Sequence, residues 1–203
     1  ADYFDGNLEF SSKLNEPMDY VHESPFENLS VLPSNSSLLA LEHKLESRQK
    51  IYKLRDLLKK LDKEFDEIYI DTAPALNFYT RSALICADSC LIPFDCDAFS
   101  RQALYSILDV IYEIREDHND DLEIGGIVVN QFQPMASLPT RLITEMKKEK
   151  LPIIPTYLNQ SVKMKESHNE CVPLIYLAPS HKLTGQYIEL FDHLSRKRRK
   201  KKK

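Results

Sequence analysis

The chain has 203 residues, 42% of them apolar, which is enough for one ordinary α/β domain or two very small ones around a real core and excludes a disordered polypeptide. With no Trp, four Gly and 11 Pro it is neither collagen-like nor Gly/Ser low-complexity material. The net charge of −4 conceals an asymmetry: residues 196–203 are all basic, which leaves 19 basic against 31 acidic side chains, a charge of −12, on residues 1–195.

Residues 1–24 are polar, acidic and aperiodic, and Pro17 and Pro25 break this region. No basic stretch followed by an apolar run occurs there, and nowhere do 18 apolar residues fall together, so neither a signal peptide nor a membrane span is expected. Leu29-Ser30-Val31-Leu32, stopped by Pro33-Ser34-Asn35, predicts a buried strand leading into a turn. Over 38–65, Leu38, Leu41, Leu45, Ile51, Leu54, Leu57, Leu58 and Leu61 follow helical spacing, with Ser36 or Ser37 as the cap and room for a break near Ser47.

Four near-continuous apolar runs come next: Ile68-Tyr69-Ile70 ending at Asp71, Cys90-Leu91-Ile92-Pro93-Phe94 ending at Asp95, Ile124 to Val129 ending at Asn130, and Pro152-Ile153-Ile154-Pro155. Continuous rather than alternating runs belong to strands covered on both faces, which parallel sheets require. Helical patterns lie between or after them, at 79–87, 100–116, 139–149 and 181–194. The expected fold is therefore α/β, an open and mostly parallel sheet with flanking helices, in which ligands bind at the carboxyl ends of the strands. Cys86, Cys90, Cys96 and Cys171 fit neither a redox pair nor a zinc quartet and are read as buried thiols in a reducing cytosol. The six His form no ligand cluster.

The segment Asp66-Glu67-Ile68-Tyr69-Ile70-Asp71-Thr72-Ala73-Pro74 delivers one carboxylate at the end of an apolar run, after which a small residue and a proline turn the chain away. A hard oxygen on a rigid strand end suits a Walker B aspartate that orients Mg²⁺. Capping of the following turn explains the same residue. Asp95 and Asp97 flank another strand end, where they either face a cleft or cap a helix at Ser100.

These segments, with Ala83-Leu84 before Ala87-Asp88, Gly126-Ile127-Val128-Val129-Asn130-Gln131-Phe132 and Ser161-Val162-Lys163-Met164-Lys165-Glu166-Ser167-His168, resemble in order the ParA-type partition ATPases of bacteria, within the ParA/MinD deviant-Walker group. The resemblance runs from about residue 28 to about residue 183. One element of that family has no counterpart: its glycine-rich, lysine-bearing loop holds the ATP phosphates, whereas Gly6, Gly125, Gly126 and Gly185 are nowhere followed by Lys-Ser or Lys-Thr. Residues 1–10 resemble the region just after the family's second strand, so the expectation is a P-loop NTPase-like domain over 1–195 whose first β-α-β unit is missing, followed by a polybasic disordered tail at 196–203.

Carried onto this sequence, the resemblance implies that Asp71 is the Walker B carboxylate, acting on Mg²⁺ through water. It implies that Thr72, Ala73 and Pro74 form a segment sensing the ATP γ-phosphate and that Asn130 reads the adenine edge, for which an amide offers donor and acceptor together. As a strand-end residue Asn130 also suits a plain turn. Lys163 and Lys165 occupy a stretch that presents basic residues to non-specific DNA in the family, and equally suit a solvated helix face. Arg196, Arg198 and Arg199 belong to the cationic tail, which attracts phosphate backbones or anionic surfaces. The family implies ATP and Mg²⁺ as cofactors, an ATP-dependent homodimer, a ParB-type centromere-binding partner and a cytoplasmic, nucleoid-associated location without a membrane. The competing expectation is a non-catalytic remnant acting at most as a DNA- or partner-binding module. A MinD-like membrane role ranks last, because residues 196–203 contain no apolar side chain.

Overall fold

The structure is a computed structural model that describes residues 16–201, with side chains described up to Arg196. The chain divides into two compact units, Ala1–Ala87 with Ile111–Leu122, and Asp88–Val110 with Glu123–Lys203.

In the first unit a 3-10 turn, Pro17–Tyr20, is closed by a capping box in which the Asp19 carboxylate accepts from the Glu16 amide at 2.9 Å. Strands β1 (His22–Glu23) and β2 (Ser30–Val31) then pair antiparallel. The buried strand expected at 29–32 is thus two residues long, and Leu29, Val31 and Leu32 remain exposed. Its partner has only two residues, and Pro33 next to Leu32 has no amide to extend the ladder.

Helices α1 (Ser37–Ser47) and α2 (Lys53–Leu61) realise the long helical pattern with its break. The break has a local cause: Gln49 adopts φ +54° and the Lys50 amide returns to the Leu45 carbonyl at 2.9 Å, which closes α1. Helix α3 (Phe78–Cys86) packs on α2. Leu45, Leu57, Leu61, Leu84 and Ile85 are buried there, together with Ile111, Ile114 and Leu122 from the second stretch of the unit. Asn119 donates from Nδ2 to the Leu84 and Ala87 carbonyls, satisfying the end of α3. A two-pronged ion pair, 2.7 and 3.1 Å, joins Arg81 to Glu113.

The run Ile68-Tyr69-Ile70 corrects the reading of a covered strand. No ladder among the described residues includes it, and its exposures are 39%, 62% and 36%. An apolar run becomes a strand through the ladder it joins. This one is only three residues long and bracketed by Asp66, Glu67 and Asp71, whose carboxylates favour solvent.

The second unit is built on β3 (Ser89–Asp95) and β4 (Glu123–Asn130), which run parallel from Ser89 opposite Glu123 to Asp95 opposite Asn130. The register skips at Gly125, which is the extra residue of a bulge. Along the other edge of β4 lies 152–160. The Ile127 amide donates to Pro152 (2.8 Å), and the Ile154 and Leu158 amides donate to Ile127 and Val129 (2.9 Å each). Only isolated parallel bridges form, at Ile127–Ile153 and Phe132–Asn159, so the fourth expected strand is fragmentary. Pro152 and Pro155 lack the donors a full ladder needs.

Helix α4 (Ala98–Asp117) follows β3, and α5 (Ser137–Lys148) follows β4. Arg101 of α4 holds Glu145 and Glu149 at 2.6 Å each, and Tyr105 donates to Glu149 as well. Helices α6 (Val162–Asn169), α7 (Leu174–Leu177) and α8 (Lys182–Lys201) complete the unit. Val128, Ile154, Leu158, Leu174, Leu183 and Leu190 form a shared core cluster, with Leu91, Met164 and Leu194 packed against it. The fold is α/β, with a parallel ladder and flanking helices.

Two further expectations are corrected. The α8 backbone stays helical to Lys201, where composition suggests disorder from residue 196. Lys and Arg are good helix formers, no Gly or Pro interrupts them, and cations are favoured at a helix C-terminus. Cys171 is exposed rather than buried, at φ +52° just past α6.

Candidate functional site

Each unit positions part of the residue set that the sequence singles out. In the first, Asp71, Thr72, Ala73 and Pro74 are all exposed in an irregular segment leading to α3. The chain beyond them is anchored. Asn77 caps α3 by accepting from the Tyr79 and Thr80 amides, 3.1 Å each, and Glu42 accepts from the Phe78 amide at 3.2 Å. The Thr80 hydroxyl donates back to the Ala75 carbonyl, and the Ala75 amide donates to Ala73 at 2.7 Å. Tyr79 donates to the Leu38 carbonyl, and burial with the Glu42 charge nearby pushes its phenol up to about 12. The effect is a solvent-facing carboxylate on a loop whose far end is fixed to the N-terminus of α3.

In the second unit the C-terminal end of the β3–β4 ladder gathers Asp95, Asn130 and Gln131. Asp95 and Asn130 face each other on the last rung, and Gln131 donates from Nε2 to Asp95 Oδ2 at 2.9 Å. Asn130 is half-buried, and its amide makes no hydrogen bond to any described residue. Asp97 has the capping role: its carboxylate accepts from the Ser100 amide and hydroxyl, both at 2.8 Å, which holds its pKa below the ordinary aspartate value. Between them Cys96 is pushed up to about 11 by burial and by the two neighbouring aspartates, and burial also raises the Cys90 thiol. Neither suits a thiolate nucleophile.

Two residues past Asn130, Phe132 lines a cavity of about 210 Å³ together with Pro155, Thr156, Tyr157, Asn159 and Lys182 among others; Asn130 is not part of its wall. Phe132 and Tyr157 meet edge to face at 5.0 Å between centroids, and Lys147 lies 5.6 Å from the Tyr157 ring centre. Gln186 and Glu189 complete a lining that is mostly polar, in which the two rings supply the aromatic surface. Phe132 and Tyr157 escape a reading by sequence because each looks like another apolar residue after a strand. Only the pairing of the two strand ends makes them a site.

Lys163 and Lys165 sit on α6, which Ser161 caps through the Lys163 amide at 3.1 Å. The Lys163 ammonium is engaged by Glu166 at 2.5 Å, while Lys165 is exposed. Arg196 is exposed near the end of α8, and the side chains of Arg198 and Arg199 lie outside the described residues. Among the described residues no group of three or more His, Cys, Asp or Glu side chains could hold a metal, and no helix is long and apolar enough to cross a membrane.

These groups lie at the carboxyl end of a parallel ladder, the end at which open α/β sheets bind ligands. The AAA domain family (AAA_31) matches residues 9–124, more than half of the chain, and the chain belongs to that family. Its relatives are of the ParA type. The chain is 26% identical over 181 residues to the chromosome partitioning protein ParA of Myxococcus xanthus, a match covering 88% of this chain and 64% of that protein. The chain thus spans just under two thirds of that relative. Among solved structures, McdA of Cyanothece in complex with ATP superposes with a TM-score of 0.81 at 21% identity, over 96% of this chain and 74% of that one. Cobyrinic acid a,c-diamide synthase of Mycobacterium smegmatis, with ADP and magnesium bound, superposes at 0.69 and 22% identity, over 79% and 63%. At such identities the superpositions show the shared fold.

Proposed function

We propose that this chain carries the base-reading and Mg²⁺-orienting residues of a ParA-type ATPase acting in plasmid or chromosome partition. The observation that supports the reading is the uncommitted Asn130 amide at the end of β4, beside the Phe132–Tyr157 cavity, in a chain of this family.

The residues fit ATP and Mg²⁺ at one end only. Asn130 offers a donor and an acceptor to a base edge, and Phe132 and Tyr157 offer faces for its ring. Asp71 presents a hard, exposed oxygen, and a single carboxylate suits Mg²⁺ held largely through its own waters. Thr72, Ala73 and Pro74 follow it directly and would carry the response to the terminal phosphate. No glycine in the 203 residues precedes Lys-Ser or Lys-Thr, so no phosphate-cradling loop of that type is present. Mg²⁺ would neutralise phosphate charge. Phosphoryl transfer needs donors around the transferring group, where most of the transition-state charge develops.

Two consequences follow for the 203-residue chain. It binds Mg-ATP weakly, through the base end, and it turns over none. Asn130→Ala should weaken ATP binding about tenfold, as expected for losing a two-point hydrogen bond, and Asp71→Ala should remove the Mg²⁺ dependence of what remains. Equilibrium binding and phosphate-release assays on the purified chain check this. Mg-dependent turnover that Asp71→Ala abolishes would show that the chain completes its own catalytic site.

For partners the reading takes non-specific DNA, a ParB-type centromere-binding protein and a second, ATP-bound copy, in a cytoplasmic, nucleoid-associated setting. Lys165 and Arg196 are exposed cations suited to phosphate contacts, with Lys163, Arg198 and Arg199 as further members.

A further inference from the structure

The Asn130 amide is useful to a base only if it points one way, and the surroundings of β4 contain a device for that. Gln131, the next residue, adopts φ +49°, a left-handed conformation uncommon for a residue with a Cβ. It is held from two sides. Across the ladder its Nε2 donates to Asp95 Oδ2 at 2.9 Å. On the opposite edge the Leu158 amide donates to Val129 and the Phe132 amide to Leu158, both at 2.9 Å, so the chain on either side of Asn130 and Gln131 is tied to 152–160. Asp95 is itself anchored, since the Asp97 amide donates to its carbonyl at 2.8 Å and Asp97 caps α4.

We propose that Gln131 and Asp95 are positioning residues: their hydrogen bond fixes the left-handed turn after β4 and so holds the Asn130 amide in one orientation, giving this strand end discrimination between bases by hydrogen-bonding edge. The inference rests on the nucleotide reading above and adds its specificity. The 152–160 side makes no bond to the Gln131 side chain; it ties the backbone around it and holds Phe132 at the cavity wall. Without the Asp95 contact the Gln131 side chain loses its restraint on the β3 side, the turn is held by the backbone bonds to 152–160 alone, and the Asn130 amide samples several rotamers. A ring would still pack against the outer side of the Phe132–Tyr157 wall, but its edge would no longer be read.

The test uses the full 203-residue chain with adenosine and guanosine monophosphates as probes, compared by saturation-transfer NMR, which detects weak binding. Wild type should prefer the adenine probe. Gln131→Ala and Asp95→Ala should each lower the adenine-to-guanine preference about threefold or more, the effect of losing one hydrogen bond. Gln131→Glu, which sets two carboxylates against each other, should do the same. Asp95→Asn should keep the preference, because its amide oxygen accepts the same bond. In parallel, 15N relaxation of the Asn130 side-chain amide should show one ordered state in wild type and Asp95→Asn, and averaging in the other three variants. An unchanged preference together with an equally ordered amide in Gln131→Ala and Gln131→Glu overturns the proposal. If wild type binds neither probe, the nucleotide reading fails, and the relaxation comparison still decides whether the clamp exists.

Discussion

Asp97 shows how much one carboxylate does at a strand end. It stands between β3 and α4, where the Ser100 amide and hydroxyl, with a smaller part from the Phe99 amide, donate to its carboxylate, so its charged form is the one the fold prefers. A carboxyl whose folded pKa is depressed contributes stability that is complete above the unfolded value of about 3.9 and drops out as pH falls through the lower folded value. Asp97→Ala should cost about 1 kcal/mol at neutral pH, the usual loss for a helix cap. Asp97→Asn should keep most of the cap while removing this group's share of the acid dependence. Urea melts at pH 7 and pH 3 separate the two outcomes. The strand-Asp-turn pattern left both a cleft and a cap open for this residue, and only the hydrogen bonds identify it as a cap. Asp71, with the same pattern, has no such bond among the described residues, which is why it stays a candidate for Mg²⁺.

Among the elements, helices were more legible than strands. The apolar face of 100–116 and the segment 79–87 each predict a helix found within two residues, and the periodic leucines of 38–65 yield two helices, Ser37–Ser47 and Lys53–Leu61, because helical spacing is a property of the segment alone. Strands depend on neighbours. Ser89–Asp95 and Glu123–Asn130 pair with each other as their apolar runs predict, whereas Ile68-Tyr69-Ile70 has the same composition and stays exposed outside any described ladder. The Phe132–Tyr157 wall was illegible for the same reason, since register between 123–130 and 152–160 creates it. That register has a requirement in Gly126: a Cβ there would lie 2.6 Å from Ile154 Cγ1, at a φ of +157°. Gly126→Ala should therefore push 152–160 off β4 and destabilise the protein by about 1–3 kcal/mol, the range for forced overpacking. Denaturation midpoints check the loss, and hydrogen exchange at Ile154 and Leu158 should rise first. Unchanged protection at both amides would place the clash elsewhere.

For the whole molecule, charge arithmetic carries a functional statement that the fold does not. On the proposed DNA reading, a body at −12 would repel a duplex while residues 196–203 would attract it. If all eight cations met phosphates, log affinity against log salt would fall with a slope of roughly −0.9 × 8, about −7, and engagement of half of them would halve it. Deleting 196–203 should remove most DNA binding by this chain and nearly all of the slope, with Lys163→Ala combined with Lys165→Ala adding only a small further loss. Fluorescence anisotropy with duplexes of unrelated sequence at several salt concentrations measures this. Retained affinity and slope after the deletion would move the DNA surface to the folded body.

On the function proposed above, the Asp71 loop of the first unit answers to Mg²⁺ and the end of β4 in the second unit answers to the base. Chemical-shift mapping of the full 15N-labelled chain on addition of Mg-ATP tests it most directly. The account predicts perturbations at Asn130, Gln131, Phe132 and Tyr157 with or without metal, and at Asp71, Thr72 and Ala73 only when Mg²⁺ is present. Perturbations confined to other surfaces at saturating Mg-ATP, with these residues unmoved, would contradict it.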